Sequence, residues 1–400
     1  MRIRTFIVLI LALALLGGLI VLNKRKKESE LATPSPSVEM LLPPERLNDI
    51  TRFTVTVGTQ VTAVARSGER WVVESLWNYP ANFDVVADNL RKLADVKGGE
   101  VIHEGTERLE EFGLAQTTNA NILPPATLVF YDAGGRPLRE IGMGSPRMPK
   151  STGGRPQFPE SAFVLLDNRE VRLVAAYMPG IPRSSEGWID RSVVSVPAED
   201  VDEISVTLTN GVSYRVTRNV DGTFTSDSLQ ETETMDQDGA GTLAEALSQL
   251  NLSTIADPAT TADACGLDKP GLFHVKTRDG LDYSVKIGDA DPERYGRYAR
   301  IDVAYEKPAP PSAPETPVVV TTNALATAKP GEAGPPVDPI KTWEEKTTAI
   351  AAMADAESKR LAPWTFVLLE GDCRKMTTPR EQIMTVATTP PPPLTQNRSD

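Results

Sequence analysis

The sequence predicts an α+β protein: two tandem, diverged repeats, each a mostly antiparallel meander with one packed amphipathic helix, placed after a single N-terminal transmembrane helix. Three observations predict it. An uncharged apolar run near the start sits between basic flanks. Short runs of alternating residues are separated by turn residues, which is strand and hairpin patterning. Two distant stretches also open on one pattern and continue in parallel, the mark of an internal repeat.

The apolar run extends from Phe6 to Leu22, preceded by Arg2 and Arg4 and closed by Asn23-Lys24-Arg25-Lys26-Lys27. A helix of about 20 apolar residues crosses a bilayer core, so this run spans at the short end. Its exit, Ile20-Val21-Leu22, lacks the small residues of a cleavage site, and no cysteine follows for lipid attachment. Residues 1–28 therefore read as a retained anchor with a basic flank, and residues 29–41, rich in Pro and Ser, as a tether. The basic residues on the two flanks nearly balance, so charge alone leaves the orientation open.

Repeat unit 1 covers residues 42–195 and repeat unit 2 residues 196–376. Leu42-Pro43-Pro44-Glu45 matches Val196-Pro197-Ala198-Glu199, and the alternating runs Phe53–Val57 and Ile204–Leu208 follow. Trp71 and Phe224 end the meanders. Helices come next, with apolar stripes Val86, Leu90, Leu93 and Leu243, Leu247, Leu250 at spacings of three and four. Glu111-Phe112-Gly113-Leu114 then matches Ala264-Cys265-Gly266-Leu267. The hairpins Leu128–Gly142 and Leu272–Gly288 turn at Asp132-Ala133-Gly134-Gly135 and Arg278-Asp279-Gly280. Ala162–Leu166 matches Tyr298–Ile301. A Pro/Ala/Thr/Gly-rich insertion at 307–340 interrupts the second unit. A helix over Lys341–Leu361 and a strand after Pro363-Trp364, echoing Trp188–Val196, complete it. The composition of residues 377–400 predicts a disordered tail.

Composition narrows the function classes. The chain carries 42 basic and 54 acidic side chains in 400 residues, with a basic cluster at the N-terminus, so the body is acidic. A phosphate backbone needs a basic face, so nucleic acid is not an expected partner. Cys265 and Cys373 are too few for a disulfide scaffold or a thiolate zinc site and read as small core residues.

Several of these residues carry a family resemblance: Trp71-Val72-Val73, Leu109-Glu110-Glu111-Phe112-Gly113-Leu114, Cys265-Gly266-Leu267-Asp268-Lys269-Pro270, Ile141-Gly142, Ile287-Gly288 and Trp188-Ile189-Asp190-Arg191. Together they resemble the bacterial family called domain of unknown function 4340, over about Leu42 to Met376 outside the insertion. The resemblance implies an N-terminally anchored protein of the inner membrane with its body on the periplasmic side. It also implies, for some members, a part as an accessory component of gliding-motility-type ABC transporter systems. It supplies no catalytic residues.

Motifs for chemistry are weak. Gly144-Ser145-Pro146-Arg147-Met148-Pro149-Lys150-Ser151 has phosphate-loop spacing, but Pro149 stands where the loop needs a Gly, and Pro offers no N–H to phosphate. It reads as a loop between strands whose Arg147 and Lys150, with Arg155 beyond, meet an acidic partner. His103 and His274, the only histidines, lack zinc-hydrolase spacing, and no Gly-x-Ser-x-Gly elbow exists for a serine triad. Glu110-Glu111 and Glu344-Glu345 read as solvated faces. Trp71, Trp188 and Trp364 read as core anchors, while Trp77 and Tyr79, in the Trp77-Asn78-Tyr79-Pro80 loop, are candidates for a glycan or peptide contact. The expectation is a non-enzymatic, cofactor-free envelope scaffold working through contacts with transporter or other envelope proteins. The alternative is a glycan- or peptide-binding module using a groove between the repeats.

Overall fold

The computed structural model describes residues 39–115, 124–147, 161–174, 180–310 and 339–386. The expected anchor, most of the tether, most of the insertion and the last part of the tail lie outside these residues. Among the described residues, no helix is long and apolar enough to cross a membrane. The fold is α+β with large antiparallel sheets and few helices. The chain divides into two compact units, Met1–Trp188 and Ile189–Asp400.

Unit 1 contains β1 (Arg52–Val57), β2 (Gln60–Ser67), β3 (Arg70–Val73), β4 (Tyr79–Pro80), α1 (Phe83–Asp95), β5 (Glu100–Glu104), β6 (Ala126–Tyr131), β7 (Pro137–Arg147), β8 (Ser161–Leu166) and β9 (Glu170–Val174). They form one sheet in the order β4-β3-β2-β1-β6-β7-β8-β9-β5. Alternation decides the faces: Ala126, Leu128 and Phe130 are buried while their neighbours are partly exposed. The Asn82 side chain accepts the Val85 N–H at 3.1 Å and starts α1, whose buried face carries Val86, Asn89 and Leu93. Leu90, expected in the same stripe, is only half-buried.

Trp188, the last residue of the unit, closes this core. Its ring is 1 % exposed and stands edge-on to Phe53 at 4.9 Å. Its indole N–H donates to the Pro182 carbonyl at 3.0 Å, and its own carbonyl accepts the Asn82 N–H at 2.8 Å. Where the chain enters the unit, the nearly buried guanidiniums of Arg139 and Arg172 hold Glu39 at 3.1 and 2.6 Å. On the other side of the sheet, Phe112 and Leu114 pack with Phe163, Leu165 and Val171 as a smaller apolar cluster.

Unit 2 contains β10 (Ser192–Val194), β11 (Val201–Thr207), β12 (Ser213–Arg218), β13 (Phe224–Thr225), β14 (Glu233–Met235), α2 (Gln237–Ala244), β15 (Leu250–Ile255), β16 (Gly271–Thr277), β17 (Leu281–Ala290), β18 (Gly296–Tyr305), α3 (Pro339–Leu361), β19 (Phe366–Leu369), α4 (Glu370–Met376), α5 (Arg380–Ile383) and β20 (Met384–Val386). The main sheet runs β10-β15-β19-β18-β17-β16-β11-β12-β13, and β14 pairs with β20. The expected helix through Leu250 is shorter: α2 stops at Ala244, a 3-10 turn carries Leu247, and Leu250 opens β15. From Leu250 the period-two burial of Leu250, Leu252 and Thr254 has replaced the helical period.

The stretch after Thr377 corrects the expectation of a tail without structure, since α5 and β20 occupy residues 380–386. Arg380 binds Glu233 through two parallel 2.7 Å bonds, and Glu233 also accepts the Gln230 N–H at 3.0 Å. The Arg380 guanidinium holds the Glu233 carboxyl down to about 2, against an ordinary 4.5. A depressed carboxylate stabilises the fold above its unfolded-state value and loses that contribution as pH falls through the folded value. Acidification from pH 4.5 to 2 is therefore expected to loosen α5 and β20, read as faster protease cleavage after Met376. Glu233→Gln should remove this pH dependence; cleavage that follows the same acid profile in the variant would refute the latch.

Both cysteines are free and buried. Burial pushes the Cys265 thiol up and the Cys373 thiol up to about 12. Neither thiol is expected to react with a disulfide reagent at pH 8 until the fold is denatured. Reaction of Cys373 in the native protein would contradict its placement.

Candidate functional site

Two pairs of consecutive non-glycine residues in unit 1 stand in the left-handed region: Asp167 and Asn168, and Trp77 at φ 53° with Asn78 at φ 64°. Asn tolerates this conformation, but for a bulky residue it costs about 1–2 kcal/mol. The loop persists because its ends are held. The Asn78 N–H donates to the Val73 carbonyl at 3.1 Å, and Val73 and Tyr79 pair across β3 and β4. Leu76 is buried beneath the loop, whereas the Trp77 ring is 39 % exposed. Strain that presents an aromatic side chain to solvent is an observation that points toward binding.

Phe83 adds to this. It lies at the first position of α1 and is 61 % exposed. It borders a cleft of about 380 Å³ along α1, floored by Trp71, Val86 and Leu90, backed by Leu47 and Ile50, and rimmed by Arg66, Glu69 and Arg91. A lining that mixes apolar side chains with Asn48, Arg66, Glu69 and Arg91 suits a protein segment, and exposed Trp and Phe are the side chains that anchor such contacts.

The residues singled out from sequence fare unequally. Trp77 is 39 % exposed. Tyr79 is not: it is buried in β4, because the strand pairing with Val73 turns its ring inward. Arg147 ends β7, with its backbone beside Ser161, and its side chain lies outside the described residues, as do Lys150 and Arg155. Gly144 and Pro146 belong to β7 and do not form the loop expected there. Phe83 was not singled out from sequence, because it lies three residues before Val86 and falls in line with the apolar stripe. A side chain at the first helical position covers the turn before the helix, and here that turn lies at the sheet edge.

His274 comes nearest to a catalytic arrangement. Its ring lies 3.5 Å from Ser284 Oγ and 3.9 Å from Asp282, all on one face of β16 and β17. The backbone N–H groups beside it are committed to the β16–β17 ladder, so none is aimed at a developing oxyanion. His103 stacks on Phe112 and lies 3.5 Å from Glu107. Among the described residues, no three His, Cys, Asp or Glu side chains are grouped to hold a metal ion.

A second cleft, about 470 Å³, lies in unit 2 between β10 and α3 and is lined by Val193, Leu281, Tyr283 and Met353. Arg360 crosses it and donates to both Glu357 and the Val193 carbonyl, so its guanidinium already serves the fold. Phe83 at the α1 cleft, and Trp77 in the loop between β3 and β4, thus offer exposed aromatic side chains for recognition. No curated protein and no solved structure matches the chain. A model of the domain of unknown function DUF4340 matches residues 71–270, from the Trp71 that floors this cleft to the Pro270 before β16 and half of the 400-residue chain, and the chain belongs to that family.

Proposed function

We propose that the chain is a membrane-tethered scaffold of the cell envelope, held by Phe6–Leu22 with its body outside the cytoplasm, and that unit 1 docks a protein partner along α1. The observation that carries the reading is Phe83, exposed at the α1 cleft, together with Trp77, exposed in a strained backbone in the loop between β3 and β4. The partner is a subunit of an ABC-type transport complex. Crosslinking in intact membranes, followed by purification of the full chain, tests this. Specific recovery of transport subunits is expected; recovery of the chain with no envelope protein sinks the reading.

The body is two copies of one unit. Support comes from strand order: β3-β2-β1-β6-β7-β8-β9-β5 in unit 1 runs like β13-β12-β11-β16-β17-β18-β19-β15 in unit 2. The last pair of each is bulged, between Val101 and His103 and between Leu252 and Thr254. Ladder positions also sharpen the match. Val55 faces Leu128 as Val206 faces Phe273, so Leu128 corresponds to Phe273 and not to its neighbour Leu272. A slip of one residue turns a side chain to the other face of a strand, so only the buried partner is acceptable. A Cβ on Gly144 would lie 2.8 Å from the Phe112 carbonyl oxygen, and one on Gly288 2.1 Å from that of Cys265, which pairs Gly144 with Gly288. By the same criterion β19 corresponds to β9, not to the strand after Trp188. The tight turn at Asp167 and Asn168 in unit 1 is then the place where unit 2 carries its insertion and α3.

A further inference from the structure

Both edges of the unit 1 sheet end in short strands, but the two edges differ. β4 has two residues, and one of them, Pro80, has no N–H to donate. β5 has five residues and no Pro or Gly, and among the described residues it pairs only with β9. Val101 and Ile102 sit at the bulge of that pair and are 41 % and 42 % exposed. A strand edge with apolar side chains and unpaired backbone groups is a template for another strand.

We propose that the outer edge of β5 accepts an extended, basic segment of a partner protein as an added strand. This goes beyond the α1 cleft, although one support rests on the two-copy reading above. The strand of unit 2 that corresponds to β5 is β15, and its outer edge does carry a further strand, β10, with Val194 against Leu250 and Ser192 against Asn251. The architecture therefore takes a strand at this edge.

Charge decides the chemistry of the occupant. Glu100 and Glu104 flank the apolar pair, and Glu107 follows in the solvent. Two of the neighbouring cations are already engaged: Arg172 binds Glu39 and Glu170, and Arg108 binds Glu111. Basic residues of the added strand thus meet Glu100 and Glu104, which the bulge turns to opposite faces, while its apolar residues cover Val101 and Ile102. A second copy is a poor occupant. Antiparallel self-pairing about Ile102 sets Glu100 opposite Glu104 of the other copy, and like charges directly opposed destabilise a ladder.

Amide hydrogen exchange of the full chain in detergent, with a short synthetic peptide of alternating lysine and valine, tests this. The peptide is expected to slow exchange of the outward-facing amides of Glu100–Glu104 by about tenfold at saturation, and a glutamate-valine peptide to leave them unchanged. The double variant Glu100→Lys, Glu104→Lys, altered only at exposed positions, should reverse that preference. Phe83→Ala should retain it, which separates this edge from the α1 cleft. No slowing by the lysine peptide, or equal slowing in the charge-reversed variant, overturns the proposal. So does protection of these amides before any peptide is added, because the segment ahead of Glu39, whose carbonyl accepts the Gly98 N–H at 2.6 Å, would then already occupy the edge.

Discussion

Replacing Trp188 with Ala is expected to cost unit 1 about 3–5 kcal/mol, the range for deleting a large buried aromatic from a packed core. The ring is 1 % exposed and packs edge-on to Phe53, which itself meets Trp71 at 6.0 Å and Phe130 at 5.9 Å. Its loss opens a cavity among aromatics that cannot collapse, because each is held by a different strand. It also leaves the Pro182 carbonyl without the indole N–H. Trp188→Phe keeps most of the volume and loses the bond, so an intermediate cost of about 1–2 kcal/mol is expected. Urea titration followed by hydrogen exchange at Phe53 and Phe130, against reporters in β16 and β17, measures the effect unit by unit. A loss below about 1 kcal/mol in unit 1 would mean that Trp188 is not a core anchor.

The second large effect concerns binding. Phe83→Ala and Trp77→Gly are each expected to weaken partner capture by about 2 kcal/mol, roughly thirtyfold, the scale of an interface hot spot. They differ in their effect on the fold. Phe83 is mostly exposed, so its truncation changes stability little. Trp77→Gly relieves a left-handed backbone at φ 53°, so the fold should hold steady or gain up to about 1 kcal/mol while binding falls. Opposite signs for stability and binding are what a strained contact residue produces and a structural one does not. Parallel loss of both in Trp77→Gly, or undiminished crosslinking in both variants, would remove the α1 cleft from the proposal.

Much of the secondary structure was legible locally. The alternation at Phe53–Val57 and Ile204–Leu208 is found in β1 and β11, and α3 covers the helix expected over Lys341–Leu361. Cys265 and Cys373, read as small core residues, are buried. The errors share one cause. Tyr79 was judged by its polar neighbours and its proline, yet a pair of β3–β4 partners decides where its ring points. Phe83 was passed over because it falls in line with the helical stripe, yet the end of the sheet beneath it decides its exposure. Arg380 looked like part of an unstructured tail, yet Glu233, far away in sequence, gives it a partner.

What depends on neighbours along the chain could be read from residue order alone: the period-two and 3.6-residue patterns, the hairpin turns, the apolar run at positions 6–22 and the acidic balance of the body. Those properties arise from backbone geometry and side-chain spacing within a few residues. Strand order, the one-residue register that sets Leu128 against Val55, and which edges and aromatics remain open emerge only in the folded chain. Each of these follows from pairing between segments separated by long loops. Closing such loops costs entropy that grows only slowly with length, so local sequence hardly distinguishes one partner from another, and the packed core makes the selection.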